Sequence, residues 1–170
     1  MMTQKDEKTT GPQMVTGWGQ SDTHALEITS RETGQTVPNP HKSAGQDYAT
    51  ISGREIAVMA ANPACEEKQN APWLIGSSYI AHDARSHDAQ KENGLFHILP
   101  VDIDKGGPSI DQVKDATRAI VGDQTSFIIY SSSSATADNP KWRVLFFIGG
   151  DGLPGADYKD TQDALFDLYQ

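Results

Sequence analysis

Cysteine is almost absent from this chain, since Cys65 is the only one among 170 residues. A single thiol excludes an internal disulfide and any zinc site built from several cysteines. Long apolar runs are also missing, because no uninterrupted stretch approaches the ~20 residues that a membrane-spanning helix needs. The polar first 13 residues lack the apolar centre of a signal peptide. These absences predict a soluble, cytoplasmic protein with no membrane partner.

Positive charge is scarce as well. The 14 Lys and Arg residues are outnumbered by 23 Asp and Glu residues, which gives a formal net charge of -9 at pH 7. Unaided binding to a nucleic-acid backbone is driven by Lys and Arg replacing phosphate counterions. The charge balance therefore argues against such binding unless a local basic patch, bridging metal ions or a partner segment supplies it. With 36% hydrophobic residues, the chain otherwise has the composition of one globular domain.

The first half of the chain has few apolar anchors. We expect residues 1–18 to form a mobile tail and residues 19–170 to form one domain. Mostly irregular structure is expected in the first 50 residues, with a short strand at residues 24–28. The first clear helix begins at Gly53 and stops at Asn62-Pro63, because the residue before a proline disfavours the helical conformation.

The second half alternates strand and helix signals. The clearest helix spans residues 109–121, where Ser109 is a suitable N-cap and apolar residues recur at helical spacing. Further elements are predicted as strands at residues 95–104, 126–130 and 142–148 and as a helix at residues 158–169. This order is that of a split β-α-β, or ferredoxin-like, fold without its last strand. We therefore predict an α+β fold in which an antiparallel sheet carries its helices on one face.

The spacing of the histidines does not predict a metal site. His82 and His87 are five residues apart, which places them poorly for one metal on a helix, so a solvated surface pair is predicted. His97 lies within an apolar strand. It is predicted to be a hydrogen-bonded histidine of the core rather than a ligand.

Two aspartates end a buried strand in the sequence Val101-Asp102-Ile103-Asp104. Alternate residues of a strand point to the same side, so Asp102 and Asp104 share one face with their Cα atoms roughly 6–7 Å apart. Mg²⁺ and Mn²⁺ prefer carboxylate oxygens, and this spacing can hold one such cation between the two side chains. The alternative is that the two carboxylates merely cap the strand and shape the turn that follows.

Two cations occur at the start of the last predicted strand. Arg143 lies between Trp142 and Val144 and therefore points away from the face that these apolar residues occupy. Arg143 and Lys141 have the chemistry to face a triphosphate or a template strand, and the alternative for both is a solvated strand edge. The serine run at residues 131–134 could bind phosphate through hydroxyls and backbone donors, or be a flexible loop.

Taken as a set, these residues resemble the palm domain of the archaeo-eukaryotic primase superfamily, in particular the phage- and plasmid-type primase-polymerases. The sequence Val101-Asp102-Ile103-Asp104 is similar to the family's hydrophobic-Asp-hydrophobic-Asp motif. Tyr130-Ser131-Ser132-Ser133 stands where the family has a small-x-His motif, and residues 139–144 (NPKWRV) resemble a Pro-Arg-Trp-Arg-Val run common in this group. The resemblance covers residue 53 to the end and is strongest over residues 96–148.

The resemblance implies a role in DNA replication with nucleotidyl transfer that uses Mg²⁺ or Mn²⁺. The implied partners are a single-stranded DNA template and nucleoside triphosphates, with a helicase domain downstream. Two alternatives are a non-enzymatic, primase-like DNA-binding or scaffolding module and a metal-dependent nuclease. The implied site residues are the catalytic, metal-binding Asp102 and Asp104 and the nucleotide-binding Ser131, Ser133, Lys141 and Arg143.

The sequence departs from the family pattern in two places. Ser133 occupies the position of the family histidine that contacts the incoming nucleotide. The third acidic residue of the family would lie on the missing strand, which we expect either in the amino-terminal half or beyond Gln170, in a longer protein. We therefore expect this chain alone to have little or no primer synthesis or extension activity.

Overall fold

The computed structural model describes residues 11–18, 27–30, 32–38, 48–63, 71–81, 83–104, 107–132 and 134–169. Within these ranges the chain has the predicted α+β fold. Its strands are β1 (Gln13–Trp18), β2 (Glu27–Thr29), β3 (Thr36–Pro38), β4 (Ala49–Ser52), β5 (Pro72–Ile75), β6 (Leu95–Phe96), β7 (Ile98–Ile103), β8 (Phe127–Ser131), β9 (Trp142–Phe147) and β10 (Leu153–Pro154). Its helices are α1 (Gly53–Ala61), α2 (His87–Asn93), α3 (Ile110–Val121) and α4 (Gly155–Asp167).

The central sheet has the strand order β7-β9-β8, and both ladders are antiparallel. Because β7 and β8 both run antiparallel to β9, they are parallel to each other, and α3 makes the crossover between them. This is the order that the first three strands take in a split β-α-β fold. The prediction that these three strands are neighbours in one antiparallel sheet is therefore confirmed for the part of the first strand that forms β7.

Helix α3 has capping residues at both ends that fix where it begins and where it stops. The Ser109 side chain accepts a hydrogen bond from the Gln112 backbone amide, and the Gln112 side chain accepts one from the Ser109 amide, which completes a capping box. The helix ends at Gly122, whose φ of +72° suits glycine and whose amide donates to the Arg118 carbonyl over 2.8 Å. The prediction of a helix at residues 109–121 is confirmed to within one residue.

One face of the central sheet packs against α3 and α4, and we call it the helix face. Its buried cluster contains Leu99, Val101, Val113, Val144 and Phe146. Helix α4 adds the partly buried Tyr158, Leu165 and Phe166 to this cluster. Both helices that follow β7 thus lie on one face, as predicted.

The opposite face packs against the first half of the chain, and we call it the amino-terminal face. Its buried cluster contains Met14, Ile51, Ile56, Ile98 and Leu145. Ile56 belongs to α1, so one helix lies on the side of the sheet where none was predicted. The two faces follow from strand alternation, since Ile98 and Leu99 are neighbours in sequence but belong to different clusters.

The first half is less irregular than the sequence predicts. Strand β1 is the middle strand of the three-stranded antiparallel sheet β4-β1-β5. Met14 and Val15 are almost completely buried in it, so Gln13–Trp18, placed in the mobile tail by the sequence analysis, form a core strand instead. Residues 1–10 of that tail lie outside the described ranges. The predicted strand at residues 24–28 overlaps β2, which pairs with β3.

The strand predicted at residues 95–104 is divided at His97. Strand β6 pairs with β10, with Phe96 opposite Leu153, whereas β7 pairs with β9. The single apolar run in the sequence could not show this division, because it depends on which distant segment each half pairs with. Part of the predicted strand therefore lies in a separate two-stranded ladder.

The outer edge of β7, where a fourth strand of a split β-α-β fold would pair, is covered by other contacts. The Gly76 carbonyl accepts hydrogen bonds from the amides of His97 and Ile98. Pro100 has no amide hydrogen, and its carbonyl accepts a hydrogen bond of 2.9 Å from the Gln162 side chain of α4. In the described ranges no helix has the length and apolar character needed to cross a bilayer.

Candidate functional site

A row of polar side chains crosses the central sheet near the end of β7. The register places Asp102 of β7 opposite Arg143 of β9, and Arg143 opposite Tyr130 of β8. These residues alternate with members of the helix-face cluster, so they lie on the amino-terminal face. Arg143 points away from the face of Trp142 and Val144, as predicted.

A second row continues this register by one step toward the end of the sheet. Ile103 is opposite Trp142 in the last pair of the β7–β9 ladder, and Asp104 and Lys141 are the residues that come directly beyond that pair on the two segments. The Ser132 amide donates a hydrogen bond of 3.0 Å to the Lys141 carbonyl, so Ser132 completes the row. We call the two rows together the polar array. It has a carboxylate column of Asp102 in β7 and Asp104 directly after it, a cationic column of Arg143 in β9 and Lys141 directly before it, and a hydroxyl column of Tyr130 in β8 and Ser132 directly after it.

Asp102 and Arg143 form a two-pronged ion pair. The Nε atom of Arg143 lies 2.5 Å from Oδ1 of Asp102, and its Nη2 atom lies 3.0 Å from Oδ2. This contact is the largest influence on the pKa of Arg143, which is raised, while burial opposes the rise and Tyr130 adds to it. Arg143 is therefore a permanent cation whose charge is directed at both oxygens of Asp102.

The carboxylate column fits a hard divalent cation in donor chemistry. Asp102 and Asp104 are both exposed. Asp102 lies in β7 and Asp104 directly follows its last residue, so their common direction stays a prediction from strand alternation. Mg²⁺ commonly uses one or two carboxylates and keeps several waters. No group of three His, Cys, Asp or Glu residues comes together in the ranges described above, so a third carboxylate is not assigned.

One of the predicted nucleotide-binding residues, Ser131, is not brought to the array. Ser131 is opposite Trp142, whose indole donates to the Pro108 carbonyl on the helix-face side. Ser131 therefore faces away from Asp102, and Tyr130 and Ser132 take the positions next to the cationic column. Ser133 lies outside the described residues. The hydroxyl column was missed because alternation gives a direction only once the β8–β9 register is known.

His97 is buried, as predicted for a core histidine. Its Nδ1 atom has no hydrogen-bond partner among the described residues, so the predicted hydrogen bond is not found at that atom. Burial lowers the pKa of His97. The backbone of Gly152 passes so close to the imidazole that a Cβ atom there would lie 2.9 Å from Cε1 of His97. His97 thus belongs to the packing of β6 and β10 rather than to the array.

Comparison with protein-family models, curated proteins and solved structures finds no match to this chain. The primase-polymerase resemblance therefore depends on the motifs quoted above.

Proposed function

We propose that this chain is a primase-polymerase-type palm domain of a DNA replication protein, in which the polar array binds a divalent cation and a nucleoside triphosphate. The observation that carries the proposal is the ion pair of Asp102 with Arg143 across adjacent strands, with Asp104 and Lys141 directly beyond the ends of those strands. Asp102 and Asp104 supply the hard donors, and Arg143 and Lys141 supply charge for phosphate oxygens. Catalysis of phosphoryl transfer consists almost entirely of such positioning and charge neutralisation.

Each side chain of the array has a role in this proposal. Asp102 and Asp104 hold Mg²⁺ or Mn²⁺, which when bound would activate a hydroxyl and neutralise phosphate charge. Arg143 binds phosphate oxygens through its planar fork, and Lys141 acts as a point charge. Tyr130 and Ser132 offer hydroxyl donors beside these cations. The single-stranded template needs this local cationic column, because the net charge of the chain is -9.

One observation favours the non-enzymatic alternative, a primase-like module that binds or organises DNA. Both oxygens of Asp102 are engaged by Arg143, so the pair also serves to hold β7 and β9 together. Ser133 in place of the family histidine points the same way.

The metal site is tested by titrating the protein with Mn²⁺ and measuring the free ion by electron paramagnetic resonance. We expect weak binding by the wild type and loss of that binding in Asp102→Asn/Asp104→Asn. The matched control is Asp111→Asn/Asp115→Asn, which removes two exposed aspartates from α3 and changes the net charge equally. Equal binding by all three proteins would eliminate the metal site.

The enzymatic and the non-enzymatic proposals are distinguished by an assay that measures the incorporation of labelled nucleotides on a single-stranded template with Mn²⁺. We expect little or no incorporation by this chain, because Ser133 replaces the family histidine and a third carboxylate is not assigned. Robust incorporation that Asp102→Ala abolishes would establish an enzyme. Metal and nucleotide binding without incorporation, in a longer form of the protein as well, would favour the module.

A further inference from the structure

The guanidinium of Arg143 and a divalent cation need the same atoms of Asp102. Arg143 approaches both carboxylate oxygens from one side, at 2.5 and 3.0 Å. A cation such as Mg²⁺ takes carboxylate oxygens at about 2.0–2.1 Å. Two positive charges on one carboxylate repel each other, and a metal ligand loses donor strength when a guanidinium withdraws its electron density. The fork and the cation are therefore competitors for Asp102.

We propose that Asp102 exchanges Arg143 for the divalent cation, and that Arg143 becomes available to a phosphate only after this exchange. The inference rests on the proposed metal site and adds an order to it. Without the cation, Arg143 is paired with Asp102, which neutralises its charge, and the array has little attraction for a polyphosphate. With the cation in place, the array presents the released charge of Arg143 in addition to that of Lys141, so it selects the metal complex of a nucleotide over the free nucleotide.

The ion pair is weak enough for this exchange. The side chains of Arg143 and Asp102 keep 42% and 44% of their surface exposed. Ion pairs that are this exposed typically contribute little to stability, so we expect that opening the pair weakens cation binding by about fivefold. A fully buried pair would instead exclude the cation, because separating it would leave an uncompensated charge.

Arg143 has a second cross-strand neighbour besides Asp102. It lies in the middle strand, between Asp102 on one side and Tyr130 on the other. Tyr130 already contributes to the raised pKa of Arg143. The guanidinium can therefore leave Asp102 and remain on the amino-terminal face, next to Lys141, where a phosphate would be bound.

The first test compares two variants in the Mn²⁺ titration, with Mn²⁺ as the sole ligand. Arg143→Gln and Lys141→Gln each remove one positive charge from the cationic column, but only Arg143→Gln removes the guanidinium that binds both oxygens of Asp102. We expect Arg143→Gln to bind Mn²⁺ about two- to fivefold more tightly than Lys141→Gln does. Equal affinities of the two variants, or weaker binding by Arg143→Gln, would overturn the exchange.

The second test follows the wild-type protein directly. The Nε–H proton of Arg143 is hydrogen-bonded to Asp102, so its nuclear magnetic resonance signal is expected to be protected from exchange with water when no divalent cation is added. Saturating Mg²⁺ should remove that protection, and an Asp102→Asn protein should lack it from the start. Protection that survives saturating Mg²⁺ would overturn the exchange while leaving the metal site intact. Absence of Mn²⁺ binding to the wild type would instead reject the metal site itself.

Discussion

Val144 is the side chain whose truncation tests the packing of the central sheet most cleanly. It lies in the middle strand β9, opposite Val101 on β7 and Ile129 on β8, and is fully buried in the helix-face cluster with Val113 of α3. Val144→Ala deletes two methyl groups, whose transfer from water contributes about 1.6 kcal/mol. The cavity left in a sheet that cannot collapse adds a further loss. We therefore expect the free energy of unfolding to fall by about 2–3 kcal/mol.

The assay is urea denaturation followed by circular dichroism, with the slope of the transition checked for constancy. Val58→Ala is the matched control, since Val58 lies on α1 and keeps 59% of its surface exposed. Its effect is expected to stay within about 0.5 kcal/mol. A loss below about 1 kcal/mol for Val144→Ala, or equal losses for both variants, would refute the packing of α3 on this face.

Three further outcomes follow from other contacts. Because burial lowers the pKa of His97, the folded state prefers the neutral ring. The contribution of His97 to stability is complete above its unfolded pKa of about 6.5 and is lost as the pH falls through the lower folded pKa. Urea titrations at several pH values should show this loss in the wild type and a smaller one in His97→Gln, and identical profiles would contradict it. The Thr117 hydroxyl is buried, donates to the Val113 carbonyl and lies 2.7 Å from the Tyr169 hydroxyl. Thr117→Val should therefore lower the free energy of unfolding by about 1–2 kcal/mol, and an unchanged denaturation midpoint would show that neither bond matters. Gly152→Ala should cost more than about 1 kcal/mol in the same assay, because φ is +88° and the new Cβ would meet His97, whereas Gly149→Ala, with open space around it, serves as control.

Elements with agreeing local signals could be predicted from the sequence. In α3 the capping residue, the apolar spacing and the terminal glycine all indicate the same helix. Strand β9 is an apolar and aromatic run in which Arg143 is the one polar residue, and its bounds differ from the prediction by one residue. The direction of Arg143, away from the face of Trp142 and Val144, also followed from the sequence, since it requires strand alternation alone.

Features that depend on distant partners could not be predicted. The burial of Met14 comes from pairing with β4 and β5, more than 30 residues away along the chain, and Gln13–Trp18 have no strong strand signal of their own. The ion pair of Asp102 with Arg143 needs the β7–β9 register, which joins residues 41 positions apart. The positions of the hydroxyl column and of Ser131 depend on the β8–β9 register in the same way, so the sequence could not show which of these residues face the array.

The proposal that the polar array handles nucleotides with a divalent cation is tested most directly by photocrosslinking radiolabelled thymidine triphosphate to the wild-type chain. The proposal predicts an adduct that forms with Mn²⁺ and not without it. The adduct should be reduced about tenfold or more in Asp102→Asn/Asp104→Asn and in Arg143→Gln, a change of roughly 1.4 kcal/mol in binding, and retained in Asp111→Asn/Asp115→Asn. An adduct that needs neither Mn²⁺ nor the two aspartates, or no adduct at all, would contradict it.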